Sequence, residues 1–98
     1  MIEADEIQLS VIGRGARVGK GSILREVILL SDGEAGAPRI GESCLIERAI
    51  LDEGVEVGNH VKLINEAHRS SFDGDGIFIR DGIIVVTSGT KLKDGFTL

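Results

Sequence analysis

Few side chains in this sequence are of a kind that makes or breaks bonds, so their types and spacing come first. The run Gly13-Arg14-Gly15-Ala16-Arg17-Val18-Gly19-Lys20-Gly21-Ser22 has the composition of a loop that wraps a phosphate. A P-loop needs G-x-x-x-x-G-K-[ST], because the hydroxyl beside the lysine holds the metal. Here Lys20 is followed by Gly21, and in the dinucleotide pattern G-x-G-x-x-G the third glycine would come one residue late, at Gly19. His60 and His68 are the two histidines. A zinc site usually takes three or four ligands, and His60 sits in the turn-like Gly58-Asn59-His60, where a solvated side chain is expected. The acids Glu42, Glu47, Asp52, Glu53 and Glu56 are scattered, and no spacing singles out a catalytic pair. No catalytic, cofactor-binding or metal-ligating residue is therefore assigned. The positive residues near the later strands, Lys62, Arg69, Arg80 and Lys91, with Lys93 beside them, are candidate contacts for an anionic effector.

The elements that must position these residues are set by a six-residue step. Aliphatic residues recur as Ile12, Val18, Leu24; Ile40, Ile46; Leu51, Val57, Leu63; and Val86, Leu92, Leu98. A glycine often follows directly (Gly13, Gly19, Gly41, Gly58), and a small or apolar residue often sits four after the leader (Ala16, Ser22, Cys44, Val55, Val61, Thr90). Neither a helix, with period 3.6, nor an ordinary strand, with period 2, produces this step. It is the hexapeptide repeat of a parallel β-helix, in which short strands alternate with turns. Glycine is expected at turn positions that need positive φ, and Cys44 at an inward packing position. The step from Ile46 to Leu51 is five, which implies a shortened turn there.

Composition fits this reading. Hydrophobic residues are 42% of the 98, yet aromatics are only 3%, which suits stacked Ile, Leu and Val better than a compact globule. A net charge of -5 argues against nucleic acid or an anionic membrane surface as partner. No apolar run reaches the ~18 residues of a spanning helix, and the acidic start Met-Ile-Glu-Ala-Asp-Glu is unlike a signal peptide. The single cysteine fits a reducing compartment, so a cytoplasmic location is expected. The chain reads as one domain, 1–98, with a lead-in segment at 1–11 and loops at 31–39 and 65–76. Val18 through Leu29 aligns with Ile40 through Leu51 at an offset of 22.

Residues 40–98 resemble a particular family. Arg48-Ala49-Ile50-Leu51-Asp52, then Val57-Gly58-Asn59-His60-Val61, then the Ile64-Asn65 step into a loop are similar to the C-terminal β-helix of glucose-1-phosphate adenylyltransferase. Asp73 through Val86 resembles that family's closing strands, and Gly89 through Leu98 its last hexads. The resemblance implies an all-β, left-handed parallel β-helix of roughly five coils, at about 18 residues each, with two outward loops. It also implies a pathway: the family makes ADP-glucose and pyrophosphate from ATP and glucose 1-phosphate in glycogen or starch synthesis. Its catalytic residues lie in an N-terminal nucleotidyltransferase domain opening with G-G-x-G-x-R-L, which nothing in these 98 residues matches.

On this resemblance the chain is expected to be an oligomerisation and regulatory domain, not catalytic by itself. It holds no cofactor of its own, while the parent enzyme is expected to use magnesium. A sugar phosphate is the expected effector. The activator lysines of plant-type enzymes correspond here to Glu66 and Ser88, so activation by a phosphoglycerate is not expected. Partners are a second copy or a nucleotidyltransferase domain. The apolar run Val27-Ile28-Leu29-Leu30 exceeds what one inward-facing strand buries, so it is the expected interface. The alternative is a free-standing hexapeptide-repeat protein, such as a trimeric acyltransferase or a γ-type carbonic anhydrase. That reading would require a histidine constellation.

Overall fold

The computed structural model describes residues 6–8, 10–12, 15–30, 36, 38–65, 68, 70–74 and 76–98. Arg69, Glu66 and most of the loop at 31–39 lie outside the described residues. The chain is all-β, with no helix among the described residues. Its strands are β1 (Glu6–Gln8), β2 (Val11–Ile12), β3 (Arg17–Val18), β4 (Ile23–Leu29), β5 (Arg39–Ile40) and β6 (Leu45–Leu51). They continue as β7 (Glu56–Val57), β8 (Lys62–Leu63), β9 (Ser71–Asp73), β10 (Ile77–Arg80), β11 (Ile83–Val86) and β12 (Lys91–Leu92).

Three rows of parallel pairing organise these strands. The first is the four-stranded sheet β12-β7-β5-β3. The second joins β1, the first half of β4, the first half of β6, and β8. The third joins β2, the second half of β4, the second half of β6, and β11. The hexad leaders face inward in every row: Val18, Leu24, Ile40, Ile46, Leu51, Val57, Leu63, Val86 and Leu92 are all buried. So are the small residues Ala16, Ser22, Cys44, Val55 and Val61.

Paired rungs are 17 residues apart where Arg39 meets Glu56 and Leu45 meets Lys62, rather than about 18. The missing residue is at one bend. Glu26 (φ 54°) and Arg48 (φ 49°) each turn the chain as a single left-handed residue inside a continuous strand, which is why the leaders Leu24 and Leu29, and Ile46 and Leu51, are five apart. A second bend recurs at Gly21, Ser43, His60 and Gly95, all with positive φ, and a third at Gly15, Gly54 and Gly89.

Glycines directly after the leaders have a different cause from the one expected. Gly19, Gly41 and Gly58 are not among the residues with positive φ. A Cβ on Gly19 would come within 2.7 Å of the Gly41 carbonyl carbon, and one on Gly58 would come 2.6 Å from the Asp94 nitrogen. These positions lack a side chain because the next rung passes too close for one. The neighbouring rung also caps them: Asn59 Oδ1 accepts from the Glu42 N–H at 2.9 Å, and Asp94 Oδ1 from the Asn59 N–H at 2.8 Å.

The parallel rows are interrupted once. Glu56 pairs with Lys91, 35 residues on, because β9, β10 and β11 form an antiparallel meander in between. Its tight turn places Asp81 and Gly82 at φ 52° and 79°, as a two-residue type I′ hairpin requires. The segment read as the second loop, 65–76, therefore contains a strand, β9. The first loop likewise ends early: Arg39 begins β5, and Pro38 O already accepts from the Arg17 N–H at 3.3 Å. Main-chain pairing with β10 and β3 takes these residues into the ladder although their composition is that of a turn.

The close approach at Gly58 is testable. Gly58→Ala is expected to lower unfolding stability by about 1–3 kcal/mol through overpacking. Ser43→Gly, which relieves a left-handed serine, should leave it unchanged or raise it by up to ~1 kcal/mol. Urea unfolding measures both. A Gly58→Ala protein as stable as the parent would contradict the packing explanation.

Candidate functional site

Between the bend at Arg48, the residues that follow β8 and the hairpin turn, a groove of about 610 Å³ opens. It is lined by Glu47, Arg48, Ile64, Asn65, His68, Ser70, Asp81 and Gly82. A second hollow of about 400 Å³ adjoins it, sharing Arg48 and Asp81 and adding Glu26, Ile28, Ala49, Ile50 and Ile83. Arg48 reaches both because its left-handed backbone swings the side chain out over the bend. Its Nε donates to Glu26 at 3.0 Å, one rung below, and its side chain is 70% exposed. On the second row Arg25 bridges two carboxylates, donating to Glu6 at 2.8 Å and Glu47 at 3.1 Å. Such exposed pairs contribute little stability, on the order of 0–1 kcal/mol each. The groove is open and mixed in charge. It can hydrogen-bond a polar or anionic solute.

The cationic residues expected to gather around an effector lie on separate elements. Arg80, at the end of β10, donates to the Phe72 carbonyl (3.0 Å), the Ile79 carbonyl (2.8 Å) and Asp73, and lies 5.4 Å from the Phe78 ring centroid. Lys91, on the first row, pairs with Glu56 at 3.5 Å. Lys62 is on the second row, between Leu45 and Thr97. Arg69 lies outside the described residues. Sequence nearness to the loops grouped these cations, whereas the fold distributes the described ones over two rows and a hairpin. Arg48 and His68, which do line the groove, are not among those effector candidates; His68 is considered only as a metal ligand. The five-residue step at Ile46–Leu51 was the available signal for Arg48, since it marks the bend.

Val27 and Leu29, named in the expected interface, are 0% and 1% exposed and belong to the core. Ile28 and Leu30, at 36% and 40%, do face outward. Period-2 alternation after the bend at Glu26 divides the apolar run in this way. His60 is exposed at the second bend and His68 lines the groove. Among the described residues no three His, Cys, Asp or Glu side chains stand together as a metal site.

Cys44 is buried, and its thiol donates to the Gly58 carbonyl at 3.1 Å. Burial pushes its pKa above the ordinary value, so the unreactive thiol form is held. Labelling of the native protein with a disulfide reagent at neutral pH should be on the order of a hundredfold slower than in denaturant. Equal rates would show that Cys44 is not enclosed.

Comparison with known proteins follows the same outline. Residues 1–97 match the family model described as the GLGC left-handed parallel β-helix domain. The small subunit of glucose-1-phosphate adenylyltransferase, chloroplastic/amyloplastic, from Triticum aestivum is 29% identical over 111 aligned residues, covering 97% of this chain and 24% of that protein. The chain thus spans about a quarter of that relative's length, in its C-terminal part. With an all-β fold of stacked parallel rungs and a match over nearly all its residues, the chain belongs to the GLGC left-handed parallel β-helix domain family.

Proposed function

We propose that this chain serves as the oligomerisation and regulatory β-helix of a glucose-1-phosphate adenylyltransferase and has no catalytic activity alone. The observation that carries this reading is the family match over residues 1–97, which coincides with a C-terminal part of the wheat relative. On this reading the three rows are the faces of a left-handed coil of roughly five turns. The parent enzyme joins ATP and glucose 1-phosphate into ADP-glucose and pyrophosphate, with magnesium, in the cytoplasm. The β-helix contributes an anionic-effector contact and an assembly surface, either to a nucleotidyltransferase domain or to a second copy.

Lys62, Arg69, Arg80 and Lys91 remain the proposed effector contacts. Arg80 and Lys91 would exchange their carboxylate partners, Asp73 and Glu56, for a sugar phosphate. Such an exchange is feasible because exposed ion pairs are weak. Separate positions on several rows suit a site completed by a neighbouring domain rather than one closed within this chain.

Two measurements test the proposal. Purified protein incubated with ATP, glucose 1-phosphate and Mg²⁺ should form no ADP-glucose above a no-protein control; any excess would refute the non-catalytic assignment. Mixed with a nucleotidyltransferase domain of the same family, the chain should change the response of that domain to a sugar phosphate. Arg80→Ala should then weaken the effector by several-fold, since a charge-assisted hydrogen bond is worth about 1.5–3 kcal/mol at most. An unchanged response would remove the effector contact.

A further inference from the structure

Charge follows a rule in the internal repeat, and one position breaks it. At the offset of 22 residues Lys20 corresponds to Glu42, Arg25 to Glu47 and Glu26 to Arg48, so each charge is answered by its opposite. Arg17 corresponds to Arg39, and there the sign does not change. These two arginines stand in direct register on neighbouring strands of the first row, Arg17 on β3 and Arg39 on β5. The leaders beside them, Val18 and Ile40, are buried. Alternation along each strand therefore turns both guanidinium groups out on the same face, and both residues are exposed.

Their surroundings do not neutralise them. Among the described residues Arg25, Arg48 and Arg80 each reach a carboxylate, whereas Arg17 and Arg39 reach none. Glu56 is beside Arg39 on the next rung, but its carboxylate pairs with Lys91 at 3.5 Å. The column Arg17, Arg39, Glu56, Lys91 holds three cations and one acid, on a chain whose net charge is -5. Like charges side by side on neighbouring strands are unfavourable. Main-chain bonds hold the two rungs in place all the same: the Arg17 N–H donates to the Pro38 carbonyl at 3.3 Å and the Arg39 N–H to the Val55 carbonyl at 2.9 Å.

We propose that Arg17 and Arg39 form a two-armed site for a phosphoryl group on the outer face of the first row. Each guanidinium presents a planar fork of N–H donors that fits two oxygens of one anion. Strands ~4.8 Å apart let two such forks bracket a single phosphoryl group, whose charge of about -1.5 to -2 at neutral pH offsets both cations. Gly19 and Gly41, two positions on, have no side chain to cover it. The glycine-rich run that fails as a P-loop supplies one arm, and the stacking of rungs supplies the other. Free phosphate and a phosphate ester share this chemistry. The site uses none of the effector contacts proposed above, so it stands or falls separately from them.

Exposure keeps the affinity modest, with Kd on the order of 1–10 mM. Titration of the ¹⁵N-labelled 98-residue chain with inorganic phosphate at neutral pH, followed on backbone amides, measures it. Sodium chloride at equal ionic strength is the control. Saturable shifts are expected at Arg17–Gly19 and Arg39–Gly41 with phosphate and not with chloride. Arg17→Gln and Arg39→Gln should each weaken binding roughly five- to tenfold, since each removes one charge-assisted arm. Phenyl phosphate in place of phosphate separates the two sources: equal affinity assigns the site to the phosphoryl group alone, and tighter binding assigns it to an ester. Arg17→Glu restores the opposite sign found elsewhere in the repeat, so it should abolish binding and raise the melting temperature at low salt. The amide spectrum confirms that each variant is folded. Shifts that do not saturate, or that chloride reproduces, would overturn the site. So would phosphate binding that survives both glutamine variants. An Arg17→Glu chain that melts no higher than the parent would overturn the premise that the pair is uncompensated.

Discussion

Every rung of this molecule lies against the next at the distance of a parallel backbone hydrogen bond, and the residue choices answer to that spacing. Parallel pairing fixes neighbouring strands at about 4.8 Å. Where the chain leaves the first row, at Gly19, Gly41 and Gly58, the next rung runs directly over the α-carbon and no Cβ fits. One residue later the cap of Asn59 on Glu42, and of Asp94 on Asn59, satisfies N–H groups that the bend would otherwise leave open. Two residues later the chain must turn, and Ser43 and His60 accept left-handed backbone there although they are not glycine. The inward residue that follows is small because the core narrows at the bend. Ser22 satisfies its own hydroxyl there by donating to the Gly41 carbonyl at 2.8 Å and accepting from the Cys44 N–H at 3.1 Å.

Much of this was legible from period alone. The leaders from Val18 to Leu92 and the small residues Ala16, Ser22, Cys44, Val55 and Val61 were read correctly because a six-residue step has one inward position for each, whereas Thr90 and Leu98, in the last hexads, are half-buried. The glycine after each leader was recognised but given the wrong cause. Spacing shows where a glycine recurs, and it cannot distinguish positive φ from a close approach by another rung. The hairpin was less visible. Asp81-Gly82 between Ile77–Ile79 and Ile83–Val86 is a type I′ signal, but β9 has only three residues, Ser71–Asp73, and its polar composition reads as loop. The cations were grouped by sequence neighbourhood. In a stacked fold, residues few positions apart diverge onto different faces, whereas residues 17 apart are neighbours. Glu26 and Arg48, which do meet, are 22 apart and belong to consecutive rungs.

Chemistry in this chain is consequently a matter of surfaces. Its thiol is enclosed, its two histidines stand apart on a bend and in an open groove, and Glu6, Glu26, Glu47 and Asp73 are partners of exposed arginines. Directly stacked like charges would repel across neighbouring strands. The second row avoids this by placing Arg25 between Glu6 and Glu47, so a net charge of -5 is carried without two acids in register there. What such stacked rows offer a partner is a set of flat faces whose outward residues are chosen independently of the core.

The bend inside β4 and β6 decides which of those faces is apolar. A regular strand alternates inward and outward, and one left-handed residue breaks that alternation. Arg25 and Glu26 are consecutive and both exposed, as Arg48 is beside the half-buried Glu47, so the bend carries the charges. Past the bend alternation resumes with Val27 and Leu29 inward and Ile28 outward, and one rung later with Ala49 and Leu51 inward and Ile50 outward. Had the corner used two residues, Ile28 and Ile50 would have entered the core and Leu29 and Leu51 would have faced out. The single-residue corner therefore sets both the 17-residue rung and the β-branched outward line. A row of Ile and Val on a pleated sheet is stiff at χ1, so it presents a firm, low-entropy surface to whatever sheet lies against it.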